Sequence, residues 1–139
     1  MNTHHLSSAE ILAMPDDVAV GHIPVSSRYQ RSDILAWLLA LDICDRLRMN
    51  PNPLMVQMEA GLADFQNHRI DPQHIERWGR LIHEGAAAVC AVLMEDSDRG
   101  AHLRQSVPGR NLVDLDMRER LFQKALKLYK AAVLRGWAA

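Results

Sequence analysis

Hydrophobic residues recur along this chain at intervals of three and four positions, which is the period of an α-helix. The first long stretch begins at Ser32 and ends at Asn50, because the proline that follows disfavours a helical conformation there. Two more begin with an N-cap residue and a proline, at Asn52-Pro53 and Asp71-Pro72. The last begins at Asp114 or Asp116 and ends before a glycine. The pattern therefore predicts four main helices, the third of which continues into the apolar stretch 85–94.

Residues 1–31 and 97–113 interrupt this periodic pattern. Ser7 and Glu10 have the spacing of a capping box, which predicts a short helix near the N-terminus. The remainder of segment 1–31 contains glycine, proline and paired serines, and we expect it to be irregular or extended. Residues 97–113 are polar and contain a Pro-Gly turn signal, so they are predicted to form a long loop. The chain is thus divided into an N-terminal segment, 1–31, and a helical bundle domain, 32–139.

Composition supports the same fold class. Hydrophobic residues make up 48% of the 139 positions but aromatic residues only 5%, so aliphatic residues, alanine and seven methionines must fill the interior. Alanine, leucine and methionine are good helix formers, because they lose little side-chain freedom in a helix. Strict alternation of polar and apolar residues, which is typical of strands, is nearly absent. The sequence predicts an all-α protein, a bundle of four main helices preceded by a short helix and an irregular segment.

Two stretches carry more apolar residues than one face of a helix needs, Ile34–Leu41 and 85–94. A helix on the surface of a bundle normally has a single apolar stripe. Four helices can enclose at most one of their number, so we expect one of these stretches to face a second chain, in a homodimer or in a complex with a stable protein partner. The alternative is that residues 9–25 cover it. The candidate interface residues are Ile34, Trp37, Leu38, Leu41, Ala86, Val89 and Leu93.

The charge is unevenly distributed although the net charge is only −1. Residues 99–139 carry nine Lys/Arg against three Asp/Glu, and residues 1–98 carry seven against fourteen. Either the two parts neutralise each other or the basic part binds a polyanion. In the last helix, four cations at helical spacing are candidate nucleic-acid contacts: Arg120, Lys124, Lys127 and Lys130. If this is an ordinary solvated face, replacing Lys124 and Lys127 by glutamate should leave folding nearly intact.

Few patterns in the sequence point to catalysis or metal binding. Cys44 and Cys90 lie in apolar helical segments and lack metal-site spacing, so both are predicted to be buried free thiols. The seven histidines lack the spacing of a zinc helix or a di-iron bundle. Glu76, Arg80 and His83 share a helix face, where an acid–base pair is one interpretation and a solvated face with a Glu–Arg pair is the other. We therefore predict no catalytic residue, no cofactor and no metal.

The N-terminus lacks the charged and apolar regions of a signal peptide, and the longest apolar runs are far shorter than the ~20 residues of a membrane span. We expect a cytoplasmic protein that does not bind a membrane. The Ala-, Leu- and Arg-rich composition is compatible with a bacterial source. By exclusion, the predicted function is a non-enzymatic interaction protein, such as an adaptor, chaperone-like partner or regulator, which forms a homodimer and binds a protein partner. The alternative is nucleic-acid binding through the last helix.

Overall fold

The computed structural model describes residues 5–68 and 70–138, and no strand occurs among them. The prediction of an all-α helical bundle is confirmed. The described residues form eight α-helices and two 3₁₀ turns: α1 (Ser8–Ala13), α2 (Asp16–Ala19), the turns Val20–His22 and Val25–Ser27, α3 (Arg31–Met49), α4 (Pro51–Asn67), α5 (Pro72–Glu84), α6 (Ala86–Leu93), α7 (Asp98–Arg104) and α8 (Leu115–Leu134).

Helix α3 is the centre of the bundle. Ten of its nineteen residues are buried, and it contacts α1, α4, α6, α7 and α8. Its N-cap is Gln30 and not Ser32, and α4 begins at Pro51 with Asn50 as N-cap, two residues earlier than predicted. Asp71 caps α5 as expected, through its side chain and the backbone N–H of Gln73. The proline and N-cap signals thus place the helix starts within two residues.

The predicted third helix is broken at Gly85, so the expectation of one continuous helix from residue 72 was wrong. Gly85 has φ +115° and ψ 178°, a conformation that side chains with a Cβ rarely adopt. Helix α5 ends there and α6 begins directly afterwards in a new direction, against α3 and α7. Although α6 is apolar throughout, none of the described helices has both the length and the hydropathy that a membrane span requires.

The predicted loop 97–113 contains a helix in its first half. Ser97 caps α7 by accepting a hydrogen bond from the backbone N–H of Gly100. At the end of α7, Arg104 is buried and donates hydrogen bonds to the carbonyl oxygens of Leu93 and Glu95 and to the hydroxyls of two serines in the 3₁₀ turn Val25–Ser27. These bonds fix α7 to the end of α6 and to the N-terminal segment, which is why the polar sequence is ordered.

The N-terminal segment is more helical than predicted. The capping box of Ser7 and Glu10 is present at α1, but the stretch expected to be irregular or extended contains α2 and both 3₁₀ turns. Asp96 accepts hydrogen bonds from the backbone N–H groups of Val25 and Ser26, which fixes the second turn. Residues on both sides of position 31 contribute to one hydrophobic core. The division into a segment and a bundle domain stays a prediction.

Candidate interaction surfaces

The α3 residues predicted to face a second chain are core residues of their own chain. The exposed fraction of the side chain is 0% for Ile34 and Leu38, 1% for Leu41 and 3% for Trp37. They lie in the hydrophobic core and offer no surface to a second subunit. The apolar circumference of α3 therefore gives no argument for a dimer.

The covering of α3 comes partly from the N-terminal segment, which was the alternative considered above. Ile11, Ala19, Val20 and Ile23 are all buried in the core that contains α3, whereas Val18 is half exposed. Helix α1 packs on α3 and α8, and α2 and the first 3₁₀ turn pack on α8. Short helical turns direct more apolar side chains to one side than an extended segment does, because an extended chain alternates faces. The prediction of an irregular or extended segment therefore underestimated how much of the surface of α3 the N-terminal segment buries.

The second predicted stretch is divided between core and surface. Val89 and Leu93 are fully buried, while Ala86 is partly exposed at the edge of a groove of about 410 Å³. On the outer side of α6, Ala87 and Ala91 are exposed. Of the residues predicted for the interface in this stretch, only Ala86 reaches the surface.

An apolar surface that the sequence did not single out runs along α8. The core-facing residues of this helix are Leu121, Ala125, Leu128 and Ala132. A second set of large apolar residues lies beside them and is exposed or partly exposed: Leu115 (79% exposed), Phe122 (39%), Val133 (39%) and the partly exposed Leu126 and Tyr129. We call these five residues the α8 seam. Their spacing of seven, four, three and four positions places them on one face of the helix.

A groove of about 380 Å³ adjoins the middle of the α8 seam. Its apolar wall contains Phe122 and Leu126 from α8 and Leu35 from α3, and Arg31 and Ser32 at the beginning of α3 form its polar end. The α8 seam therefore borders a shallow groove with an apolar wall, which is a shape that can accept a side chain from a docked helix.

The predicted basic face of α8 loses one of its four members. Arg120, Lys127 and Lys130 are exposed. Lys124 is buried, and its Nζ donates hydrogen bonds to the carbonyl oxygen of Met14 at 2.6 Å and to Oδ1 of Asp16 at 2.8 Å. Lys124 thus joins α8 to the N-terminal segment and is not part of a solvated face.

Several charges of the basic part pair with acids of residues 1–98. Besides the bond between Lys124 and Asp16, Arg110 lies 3.6 Å from a carboxylate oxygen of Asp64. In the opposite sense, Asp114 of the C-terminal part accepts a hydrogen bond of 2.6 Å from Arg46 on α3. Intramolecular compensation therefore explains part of the charge asymmetry, and it leaves the exposed cations of the predicted basic face, Arg120, Lys127 and Lys130, unexplained.

The polar face of α5 carries an exposed ion pair, in which Nη2 of Arg80 lies 3.2 Å from Oε1 of Glu76. This is the Glu–Arg pair of the solvated-face interpretation, and an exposed pair of this kind contributes little to stability. Within residues 5–68 and 70–138, no group of three or more His, Cys, Asp or Glu side chains is arranged to hold a metal ion. On α3, burial raises the pKa of Asp42, whose carboxylate accepts a hydrogen bond from Ser8 of α1.

Comparisons of the chain with protein-family models, with curated proteins and with solved structures give no match. The functional interpretation therefore depends on the surfaces described above. Among them, the α8 seam exposes the largest apolar side chains on one continuous element.

Proposed function

We propose that this protein is a non-enzymatic helical interaction protein, an adaptor or regulator that acts through protein–protein contacts and forms a homodimer across the α8 seam. The observation that supports the proposal is the row of five large apolar side chains on the outer side of a twenty-residue helix. Apolar side chains scattered over a surface need no explanation, but a continuous row on one face is typical of a binding surface.

A second copy is the proposed occupant because the seam is complementary to itself. If two α8 helices pair antiparallel about a two-fold axis, with Phe122 opposite Leu126 of the second copy, then Leu115 comes opposite Val133. The same register brings Glu119 of one copy next to Lys130 of the other, at both ends of the contact. Both charged residues are exposed in the single chain. Opposite charges beside an apolar seam favour this orientation over a parallel one.

The expected affinity is modest. Each of the three most exposed seam residues, Leu115, Phe122 and Val133, gains about 1 kcal/mol if the dimer covers it, since full burial of such a side chain contributes about 1.5–3 kcal/mol. Symmetry doubles this gain, and the partly exposed seam residues add to it. Association costs at least about 4 kcal/mol of translational and rotational freedom. The balance favours the dimer by about 2–4 kcal/mol, which corresponds to a dissociation constant in the millimolar range.

Sedimentation equilibrium from about 0.05 to 2 mM tests the dimer, because these concentrations reach a millimolar dissociation constant. We expect the mass to rise from that of one chain towards that of two. Phe122→Glu should hold the protein at the mass of one chain throughout. Lys127→Glu is the matched control, since it introduces the same carboxylate at an exposed position of α8 outside the seam, and it should leave dimerisation unchanged.

A monomer at every concentration would contradict the proposal. A dimer that Phe122→Glu leaves intact would place the contact elsewhere and contradict it equally. Because Phe122 is partly buried, Leu115→Glu in the first turn of α8, where the side chain is 79% exposed, serves as a second variant, and circular dichroism checks that each variant is folded.

Nucleic-acid binding is the second candidate, supported by the three exposed cations Arg120, Lys127 and Lys130. Phosphate contacts by such residues give binding that weakens steeply with salt. A salt-dependent mobility shift of duplex or single strands, lost in the double variant Lys127→Glu/Lys130→Glu, would favour this candidate over the first. The proposed location is the cytoplasm of a bacterial cell, whose reducing conditions suit the free thiols that Cys44 and Cys90 carry in this structure.

A further inference from the structure

The two cysteines, 46 residues apart in sequence, meet where α3 packs on α6. Cys44 lies in α3 and Cys90 in α6, and both are buried free thiols. The Sγ atom of Cys90 lies 4.0 Å from the carbonyl oxygen of Cys44, and the two thiols interact through a hydrogen bond. This contact between the two cysteines places them as candidates for a disulfide, which requires Cβ atoms about 3.5–4.5 Å apart.

Only Cys90 can be reached from outside. It is 8% exposed and lies in the floor of the groove of about 410 Å³ beside α6, whereas Cys44 is 0% exposed. Apolar side chains line most of this groove, among them Leu47 and Met94, and Arg48 is its cationic member. A small apolar molecule in the groove therefore has access to the sulfur of Cys90. Cys44 can take part only after Cys90 has reacted.

The electrostatic surroundings favour ionisation of the outer thiol. The hydrogen bond from the Cys44 thiol and the positive charge of Arg48 outweigh burial and the negative charge of Asp45, and lower the pKa of Cys90 to about 7. The same hydrogen bond and nearly complete burial raise the pKa of Cys44. Since the thiolate is the nucleophile, Cys90 is the attacking sulfur and Cys44 holds its proton until the second step.

We propose that Cys90 and Cys44 form a reactive dithiol site that alkyl hydroperoxides oxidise in a single, stoichiometric reaction, which closes a disulfide between α6 and α3. The Cys90 thiolate attacks the terminal oxygen of the hydroperoxide, the O–O bond breaks, and an alcohol leaves after taking up a proton. Cys90 is then a sulfenic acid. The Cys44 sulfur attacks the Cys90 sulfur, the S–O bond breaks, and the hydroxyl group leaves as water with the Cys44 proton. Two thiols and one hydroperoxide thus give one disulfide, one alcohol and one water.

The apolar groove is the reason for assigning an alkyl hydroperoxide in preference to hydrogen peroxide. Leu47, Ala87, Ala91 and Met94 offer contacts to an alkyl group and few hydrogen-bond partners to a small polar molecule. A cavity of this volume holds a molecule of several carbon atoms.

The reaction is tested on the reduced, full-length protein with tert-butyl hydroperoxide. Intact mass spectrometry should show the loss of two hydrogen atoms from a chain that remains a single chain on a non-reducing gel, and peptide mapping should link positions 44 and 90. Cys44→Ser should stop at a sulfenic acid on Cys90 that dimedone traps, and Cys90→Ser should not react. The rate should increase with pH through about 7 and level off above it, and it should exceed the rate with hydrogen peroxide.

An unchanged mass in excess hydroperoxide, under conditions in which the urea-unfolded chain is oxidised, would overturn the proposal. A Cys90→Ser variant that reacts as fast as the unmodified chain would overturn the assignment of the attacking sulfur. An equal or faster reaction with hydrogen peroxide would overturn the choice of an alkyl substrate. Cys44→Ala and Cys90→Ala serve as second variants, with circular dichroism as the check on folding.

Discussion

Replacing Lys124 by glutamate would place a carboxylate where the protein holds an ammonium group. In the native structure Nζ of Lys124 bonds to the carbonyl oxygen of Met14 and to Asp16, and the side chain is 9% exposed. The variant loses both charge-assisted hydrogen bonds and directs a negative group at two oxygen acceptors. The earlier expectation that this substitution leaves folding intact is wrong for Lys124, because it assumed a solvated side chain.

The magnitude follows from the burial of the lysine. Removing one partner of a buried pair costs about 3–5 kcal/mol, because a charge is left without compensation. Asp16 is 41% exposed, so water recovers part of its solvation, and we expect a loss near the lower end, about 3 kcal/mol. For a domain whose total stability is about 5–15 kcal/mol, this is a large fraction. The corresponding decrease in Tm is about 10 °C.

Urea denaturation followed by tryptophan fluorescence measures the effect. Lys127→Glu is the matched control, three positions along the same helix and exposed, and its free energy of unfolding should change by less than about 0.5 kcal/mol. Equal urea midpoints for Lys124→Glu and Lys127→Glu would refute the reasoning, since they would mean that the contacts with the N-terminal segment contribute nothing.

Two further predictions concern close packing and pH. Gly61→Ala should lower the free energy of unfolding by about 1–3 kcal/mol, because its Cβ would lie 2.1 Å from the backbone nitrogen of Gly109. Gly79→Ala is the control, since its Cβ meets only an ordinary contact at 3.6 Å, and it should be neutral or stabilising. Similar urea midpoints for the two variants would contradict this prediction. The backbone and side chain of Ser26 hold the pKa of Asp96 below its ordinary value of 3.8, so its contribution to stability is present above that pH and is lost as the pH falls through the lowered value. Urea midpoints between pH 2 and 7 should therefore decrease less on acidification for Asp96→Asn than for the unmodified chain, and parallel curves would exclude the effect.

Helix starts were predictable because their signals are local. A capping box at Ser7 and a proline after Asp71 act within one turn, and both are found where the sequence placed them. The break at Gly85 was not predictable, since a glycine inside a helical pattern costs only about 1 kcal/mol and is compatible with a continuous helix. The short helix α7 depends on the buried bonds of Arg104 to distant residues, which no local pattern reveals.

The surfaces were harder to predict than the helices. Lys124 lies at the boundary between the apolar and polar sides of α8, and only the position of the Met14 carbonyl decides which environment it enters. The α8 seam was not predicted, because α8 carries apolar residues over a wide arc. Which part of that arc is covered depends on where α2 and α3 pack, and this is a property of the whole fold.

The long reach of Lys124 has a consequence for how the chain acquires its structure during synthesis. The bond between Lys124 and Met14 joins residues that are 110 positions apart, and α3 has its most extensive packing against α8. A ribosome adds about 5–20 residues per second, so α1, α2 and α3 wait on the order of ten seconds for the helix that completes their core. For that interval the apolar faces of a nascent chain are open to water. We expect a protein whose C-terminal helix packs on its N-terminal helices to complete folding slowly. We also expect a ribosome-associated chaperone to protect the unfinished chain.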